Sequence, residues 1–370
     1  MASRYVLNPH RQAGPFPTPA REPVQAFHRT LPGYAPTPLI RRPDLARSLG
    51  IADLWVKYEG ERFGLQAFKG LGGSWALHRL LDARGGNLGT VSTASEGNHG
   101  RAVAWAARLM AVPCVIFLPA HAAPQRIENI RREGATVILV DGTYEDAVRR
   151  CDTESRERGW QIISDVGYDG YLEIPPLVVE GYSTLYLEMD DQLREAGVTP
   201  NLVLIPGGVG GILQAGVDFF RSRAGGPKVV GVEPAEADCL TTSLLSPGGE
   251  PAVSPGNRAT TMACLNCAEV SLPSWPPIRR GVDALIAIDD RWAKAAVRRL
   301  WDAQGETPIE AGDSGAASTG GLIALMEDPA AAGLRAALGV TSSTTAVVVC
   351  TEGAIDRAQF ERVINERQTP

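Results

Sequence analysis

Lys69 stands directly before a glycine-rich stretch, residues 70–74, and its neighbours Phe68 and Leu71 are apolar. An ammonium group among apolar side chains loses solvation, so we expect the pKa of Lys69 to lie below its usual value. A neutral lysine amine is the nucleophile that forms a Schiff base with an aldehyde near neutral pH. The motif therefore predicts a Schiff-base lysine, and a surface lysine at the end of a loop is the alternative that it leaves open.

A second loop consists of Gly207, Gly208, Val209, Gly210 and Gly211, between an apolar run and an amphipathic one. Consecutive glycines let backbone N–H groups turn toward an anion, and the start of a helix adds its positive end. This pattern predicts a phosphate site. The Lys-Ser/Thr pair of a nucleoside-triphosphate loop does not follow, and a tightly packed strand–helix turn remains the alternative.

Hydroxyl and amide side chains gather in a third loop, residues 92–100, which includes Thr93, Ser95, Asn98 and His99. Such groups at a helix N-terminus suit a substrate carboxylate, and Asn98 can donate a hydrogen bond to a phenolate oxygen. The alternative is simple helix capping by Ser95 or Asn98. Thr351, after another apolar run, would place a neutral hydroxyl against a ring nitrogen.

Apolar and amphipathic runs alternate along most of the chain and predict strands followed by helices. The predicted strands cover residues 54–57, 90–93, 114–118, 137–140, 202–205, 229–232, 285–288 and 346–350. Strands at this spacing form parallel βαβ units with ligands at their carboxyl ends. We therefore predict an α/β fold of two α/β units. Residues 1–36, with prolines at 9, 15, 17, 19, 23 and 32, are predicted to be irregular.

Composition excludes several kinds of partner. The net charge is −6 and no lysine- or arginine-rich block occurs, so nucleic acid and anionic membrane are not expected partners. No apolar run has membrane-spanning length or opens the chain, which predicts a cytoplasmic protein. The six scattered cysteines are expected to be reduced. For the pair Cys264 and Cys267 we favour packing over a metal or redox role, and Cys239 could approach Cys267.

Taken together, Lys69 in Ala-Phe-Lys, the Ser-x-Gly-Asn-His loop and the later glycine-rich loop resemble the fold-type II pyridoxal-phosphate enzymes, the group of threonine dehydratase and cysteine synthase. Further motifs resemble the diaminopropionate ammonia-lyase family in particular. They lie at residues 62–74, 96–101, 180–185, 232–234, 237–239 and 312–316.

The resemblance implies a fold like that of the tryptophan synthase β-subunit, with two open, mostly parallel twisted sheets and helices on both faces. The larger, cofactor-binding domain would comprise residues 37–74 and 189–370, and the smaller domain residues 75–188. The cofactor, pyridoxal 5'-phosphate, would lie between them. The resemblance also implies a homodimer.

It further implies roles for particular residues. Lys69, beside Phe68, would hold the cofactor as a Schiff base and then act as a base on Cα. The phosphate would bind to residues 207–211, the ring oxygen to Asn98 and the ring nitrogen to Thr351. The substrate carboxylate would bind to Thr93, Ser95, Asn98 and His99.

Two positions depart from the family pattern. Glu96 stands where the family has an aspartate, which serves there as the second acid/base on the face of the substrate opposite the lysine. The extra methylene of glutamate displaces the carboxylate by about one C–C bond. A displacement of about 1 Å can cost about 100-fold in rate. Asp165 matches the carboxylate expected near the substrate's side-chain amine, although its neighbours differ.

The sequence therefore predicts a lyase that acts on a small amino acid, with Lys69, Glu96 and Asp165 as catalytic residues. The expected reaction is elimination of ammonia from D- or L-2,3-diaminopropionate to give pyruvate and two ammonia. Dehydration of serine or threonine, and elimination or replacement on another β-substituted amino acid, are alternatives. A non-catalytic, cofactor-binding regulatory protein is the alternative outside the enzymes.

Overall fold

The computed structural model describes residues 1–14, 16, 21–95, 97–302 and 305–366, and it contains two β-sheets with helices packed against them. Its strands, in chain order, are β1 (Arg4–Leu7), β2 (Leu39–Arg41), β3 (Asp53–Tyr58), β4 (Val91–Ala94), β5 (Cys114–Pro119), β6 (Thr136–Val140), β7 (Gln161–Ile162), β8 (Leu202–Pro206), β9 (Lys228–Pro234), β10 (Ala284–Ile288) and β11 (Thr345–Cys350).

The larger sheet has the strand order β1-β10-β9-β8-β11-β3-β2. Its inner strands run parallel, whereas the edge strands β1 and β2 pair antiparallel with β10 and β3. The smaller sheet, in the order β6-β5-β4-β7, is parallel throughout. The predicted α/β fold class with two mostly parallel sheets is therefore confirmed.

The α-helices follow the strands in the expected alternation. They are α1 (Glu22–Thr30), α2 (Pro43–Ser48), α3 (Lys69–Ala83), α4 (Asn98–Leu109), α5 (Pro124–Arg132), α6 (Tyr144–Arg158), α7 (Ile174–Gly181), α8 (Ser183–Glu195), α9 (Gly211–Phe220), α10 (Cys239–Leu245), α11 (Trp275–Gly281), α12 (Asp290–Trp301), α13 (Ala317–Glu327), α14 (Ala332–Ala337) and α15 (Arg357–Asn365). Short 3₁₀ segments lie at Glu59–Gly64, Pro247–Gly249, Ala263–Leu265 and Pro329–Ala331.

Both faces of the larger sheet are buried. In β8, Val203 and Ile205 belong to one apolar cluster, while Leu202 and Leu204 belong to another on the opposite face. Side chains alternate between the two faces of a strand, so an uninterrupted apolar run such as β8 indicates a strand covered on both sides. Here the coverage comes from α9 on one side and α13 on the other.

The prediction that residues 1–36 are irregular is wrong for Arg4–Leu7 and Glu22–Thr30, which form β1 and α1. Residues of β1 pair with β10, and α1 packs against α3 and α8. His28 on α1 is fully buried, and its ring contacts the Thr184 hydroxyl at 2.7 Å and the Leu71 carbonyl at 2.9 Å. The prolines concealed these elements because the helix has a proline in its own first turn, where proline is tolerated.

The domain boundaries stay a prediction. In the described part of the chain, no helix is both long enough and apolar enough to cross a membrane.

Candidate active site

Lys69 is the first residue of α3, which follows β3 and the 3₁₀ segment at residues 59–64. Its Nζ lies 2.5 Å from Oδ2 of Asp165, a residue of the loop between β7 and α7. The two side chains are 20% and 16% exposed, respectively. The Lys69 Nζ is also 5.0 Å from the centroid of the Phe68 ring and 5.8 Å from that of Tyr182. The structure thus joins Lys69 and Asp165 in one largely buried ion pair flanked by aromatic rings.

The expected direction of the Lys69 pKa is wrong. Burial does lower it, but the Asp165 carboxylate more than offsets burial, and the pKa of Lys69 lies above its ordinary value. Burial likewise raises the pKa of Asp165, yet His99 and Lys69 beside it bring that pKa below the ordinary carboxyl range. Ionised Asp165 therefore stabilises the protonated Lys69 amine.

His99, the second residue of α4, completes this cluster. Its Nδ1 lies 3.8 Å from Oδ2 of Asp165, and its Nε2 lies 3.0 Å from the Ile163 carbonyl oxygen. Since a carbonyl oxygen only accepts, Nε2 carries the proton and donates it there. Burial lowers the pKa of His99, while the Asp165 carboxylate beside it acts in the other direction.

Residues 207–211 form a sharp turn between β8 and α9. Gly208 and Gly210 have positive φ angles of 57° and 107°, a region that favours glycine. A Cβ atom at Gly207 would lie 2.5 Å from Leu240, and one at Gly210 would lie 2.7 Å from Ile278. Within the described residues, no acceptor is found for the backbone N–H groups of Gly208 and Val209. The turn therefore has unpaired donors at the N-terminus of α9, as an anion site requires.

Tyr182 connects this turn with Lys69. A Cβ atom at Gly211 would lie 3.5 Å from Cε2 of the Tyr182 ring, and the same ring contacts Phe68 at a centroid distance of 4.7 Å. Cys267 also approaches both parts, because its Sγ would lie 3.8 Å from a Cβ at Gly208 and its thiol contributes to the raised pKa of Lys69. Sequence reasoning did not assign a role to either residue.

A second polar pair faces the same site. Asn98, the first residue of α4, donates through Nδ2 to Oε2 of Glu352 at 2.5 Å. Glu352 follows β11, and its side chain is buried. Burial raises the pKa of this carboxyl, which opposes ionisation, while Cys264, Asn98 and Ser314 beside it act in the other direction. Glu352 was not predicted as a site residue, although it directly follows Thr351.

The structure describes three of the remaining predicted residues, Thr351, Thr93 and Ser95. Thr351 is buried, and its carbonyl oxygen accepts from the Phe68 N–H at 3.2 Å, which ties the end of β11 to the lysine loop. Thr93, also buried, lies in β4, and Ser95 follows that strand. Glu96, predicted to be catalytic, lies outside the described residues.

A buried charge network fixes the segment that leads into α3. Glu188 on α8 accepts from Lys57 at 3.1 Å and from Arg62 at 2.7 Å. Arg62 also pairs with Glu59 at 2.8 Å. All four side chains are buried. Paired charges of this kind hold the 3₁₀ segment in one position ahead of Lys69, because a change of position would leave a buried charge without its partner.

The six cysteines are free, and Cys114, Cys151, Cys239 and Cys350 are buried. The expected approach of Cys239 to Cys267 is observed, since Asp238 and Cys267 form an isolated bridge between their backbones.

The family model described as pyridoxal-phosphate dependent enzyme matches residues 30–350. Diaminopropionate ammonia-lyase of Salmonella typhimurium is 34% identical over 366 residues, which cover 92% of this chain and 91% of the relative. The enzyme of that name from Escherichia coli (strain K12) is 35% identical over 365 residues, which cover 93% and 90%.

Solved structures agree with the sequence comparison. The crystal structure of diaminopropionate ammonia-lyase from Escherichia coli in complex with an aminoacrylate-PLP azomethine reaction intermediate superposes with a TM-score of 0.90 at 32% identity, covering 98% of this chain and 97% of that one. The structure of the same enzyme with D-serine gives a TM-score of 0.90 at 31% identity, with the same coverage.

The chain therefore belongs to the family of pyridoxal-phosphate dependent enzymes, with the fold of its fold-type II members, and its cofactor is pyridoxal 5'-phosphate. Within that family it belongs with the diaminopropionate ammonia-lyases.

Proposed function

We propose that this chain is an ammonia-lyase that converts 2,3-diaminopropionate and water into pyruvate and two ammonia. The observation that carries the proposal is the ion pair of Lys69 with Asp165, 2.5 Å apart beside the glycine turn. It places an ionised carboxylate, suited to an amino leaving group, next to the amine that acts as a base. The similarity to diaminopropionate ammonia-lyases over nine-tenths of the chain supports the choice of substrate.

The residues present fit pyridoxal 5'-phosphate. The N–H groups of Gly208 and Val209 and the start of α9 would bind the phosphate, together with the rest of the 207–211 turn. Lys69 would hold the aldehyde carbon, Phe68 would pack beside it, Asn98 would donate to the ring oxygen and the Thr351 hydroxyl would face the ring nitrogen. When bound, the cofactor condenses with amino groups and delocalises the negative charge that develops on Cα.

Lys69 and Asp165 have separate roles in the elimination. Lys69 in its neutral form removes the proton from Cα. Asp165 holds the β-amino group as an ammonium ion, because its lowered pKa keeps the carboxylate ionised. When the bond from Cβ to nitrogen breaks, its electron pair leaves with this protonated group, which departs as ammonia. Water finally hydrolyses the remaining C–N bond and releases pyruvate and the second ammonia.

The substrate carboxylate would bind at the N-terminus of α4. Thr93 and Ser95 would supply hydroxyl groups there, Asn98 would supply its backbone N–H as the first residue of α4, and the helix end adds its positive partial charge. His99 contributes its backbone N–H, since its ring is turned toward Ile163 and Asp165.

Glu96 would act as a base on the face of the substrate opposite Lys69. With a base on each face, both D- and L-diaminopropionate react. The longer side chain of glutamate, compared with the family's aspartate, affects the two isomers unequally because only one of them presents its Cα proton to this face.

The specificity constants of the purified holoenzyme test the proposal. We expect kcat/KM for D- or L-2,3-diaminopropionate to exceed that for D-serine, L-serine and L-threonine by at least about 100-fold, since Asp165 favours a cationic leaving group over a hydroxyl. A higher kcat/KM for serine or threonine would instead identify a dehydratase. Cofactor absorbance without turnover of any β-substituted amino acid would identify a non-catalytic protein.

We also propose that the enzyme works as a homodimer in the cytoplasm. The homodimer follows from the family resemblance of the sequence, and the similarity to bacterial ammonia-lyases supports the cytoplasm. Light scattering on the eluting protein should give twice the mass of the 39.4 kDa chain, and a mass of one chain would refute the dimer.

A further inference from the structure

Glu352 is a buried carboxylate that the proposed mechanism does not use. It lies directly after β11, a central strand of the larger sheet, and its backbone forms an isolated bridge with Ala67, two residues before Lys69. The next residue, Gly353, donates its N–H to the Gln66 carbonyl at 2.9 Å. Its position is therefore fixed relative to the lysine loop on one side and to the sheet on the other.

The residues 312–316, singled out by the sequence, enclose this carboxylate. A Cβ atom at Gly315 would lie 2.2 Å from the Glu352 carbonyl oxygen, and one at Gly312 would lie 3.0 Å from Oε1. Ser314 accepts a hydrogen bond from the Cys264 N–H at 3.0 Å, and its side chain acts on the Glu352 carboxyl. Glycine at 312 thus leaves room for the Glu352 carboxylate, and glycine at 315 leaves room for the Glu352 backbone carbonyl.

The direct partner of the Glu352 carboxylate is the Asn98 amide, at 2.5 Å. An asparagine side chain has two N–H donors on one nitrogen and a carbonyl oxygen that only accepts. A carboxylate oxygen can only accept from that nitrogen, so the pair is possible in one of the two orientations of the amide. In that orientation Asn98 Nδ2 also lies 3.5 Å from Cys264 Sγ, a weak acceptor that the ring oxygen of the cofactor would displace, whereas in the flipped one the Asn98 oxygen would face the carboxylate.

We propose that Glu352 is a positioning residue, which holds the Asn98 amide in the orientation that directs its second N–H to the ring oxygen of the cofactor. This inference rests on the proposed contact of Asn98 with the cofactor. It does not depend on the substrate. The residues 312–316 take part by shaping the space around Glu352.

Cofactor binding tests the inference without any turnover. The dissociation constant (Kd) of pyridoxal 5'-phosphate is measured by equilibrium dialysis of the holoenzyme, together with the absorbance of the bound cofactor, for Asn98→Ala, Glu352→Ala and the double variant. Each single variant should raise Kd by about tenfold, the size expected for one hydrogen bond to an ionised group. The double variant should bind no more weakly than Asn98→Ala alone, because Glu352 acts through Asn98.

Glu154→Ala is the matched control. Glu154 is buried to the same extent, 7% exposed, but it lies on α6 and pairs with Arg150. Its removal should leave Kd and the absorbance unchanged.

A double variant in which the two losses multiply, to about 100-fold, would overturn the inference, and so would an unchanged Kd in Glu352→Ala. If Glu352→Ala does not fold, Glu352→Gln replaces it in the comparison of single and double variants. Glu352→Gln alone should raise Kd by about threefold, because the amide retains an oxygen that accepts more weakly than a carboxylate. Multiplied losses would overturn the inference there as well. If the protein turns over no substrate but the double variant binds the cofactor no more weakly than Asn98→Ala, the proposed reaction is refuted and this inference remains in place.

Discussion

Replacing Asp165 by asparagine separates its two proposed effects, one on Lys69 and one on the leaving group. The Asp165→Asn substitution keeps the size of the side chain and removes its charge, 2.5 Å from the Lys69 Nζ. Two unit charges about 4 Å apart interact by about 4 kcal/mol at an effective dielectric constant of about 20. Because about 1.4 kcal/mol corresponds to one pH unit, the protonation midpoint of Lys69 should fall by about 3 pH units.

At neutral pH the substitution should raise the rate of cofactor attachment and lower the rate of turnover. The Lys69 amine attacks the cofactor aldehyde only when it is deprotonated. In the parent enzyme its raised pKa makes the deprotonated fraction small at pH 7, and this fraction grows as the pH rises. In the Asp165→Asn variant, burial dominates and lowers the pKa, so the amine is deprotonated at lower pH. Cofactor should therefore attach faster at pH 7, whereas turnover of diaminopropionate should fall by about 100-fold or more, because the carboxylate that holds the departing ammonium ion is lost.

Stopped-flow absorbance of cofactor attachment between pH 6 and about 10, together with steady-state turnover, measures both effects in one set of samples. Asp169→Asn is the control, since Asp169 is an exposed carboxylate of the same loop. It should change neither curve. An Asp165→Asn variant with the parental dependence of attachment on pH would refute the assignment of the Lys69 charge to Asp165.

Four further predictions test the account. Lys69→Ala should lose the absorbance of lysine-linked cofactor and reduce turnover by about 100- to 10,000-fold, and normal turnover would contradict the central role of the lysine. Gly208→Ala and Gly225→Ala each place a Cβ at a residue with positive φ, 57° and 74°, so each should lose about 1–2 kcal/mol of unfolding free energy. Only Gly208→Ala should also raise the Kd of the cofactor, measured by dialysis. Glu188→Ala leaves Lys57 without its buried carboxylate partner and Arg62 with Glu59 alone, and urea titration should show a loss of about 3 kcal/mol or more of unfolding free energy; a loss below about 1 kcal/mol would contradict a fixing role. Glu96→Gln should lower kcat/KM for one enantiomer of diaminopropionate more than for the other, and equal, small losses would remove Glu96 from the mechanism.

The sequence predicted the two strand–helix loops of the candidate site well because each loop depends on neighbouring residues. The turn at residues 207–211 follows from an apolar strand, a run of glycines and an amphipathic helix in direct succession. The loop that begins α4 follows from the same order of elements.

Contacts between distant residues were harder to predict. Asp165 lies 96 residues from Lys69 in sequence, and only the fold brings its carboxylate within 2.5 Å. Reasoning from the apolar neighbours of Lys69 gave the correct effect of burial but the wrong net direction of the pKa, because the compensating charge comes from another loop. Glu352 was overlooked for a similar reason: its partner Asn98 is 254 residues away, and only Thr351 beside it had a recognisable role.

The N-terminal segment illustrates another limit. Strand β1 is four residues long and half-buried at the edge of the sheet, so its sequence lacks a strong alternation of apolar and polar residues. It forms because β10 offers an unpaired edge, which is a property of the assembled sheet.

The ratio of ammonia to pyruvate tests the central claim most directly. The purified holoenzyme is given D- or L-2,3-diaminopropionate, and both products are measured in the same sample over the first turnovers. The account predicts two ammonia for each pyruvate, one from Cβ and one from Cα, and loss of both products in Lys69→Ala. One ammonia for each pyruvate, or consumption of the substrate without pyruvate, would contradict elimination of the β-amino group.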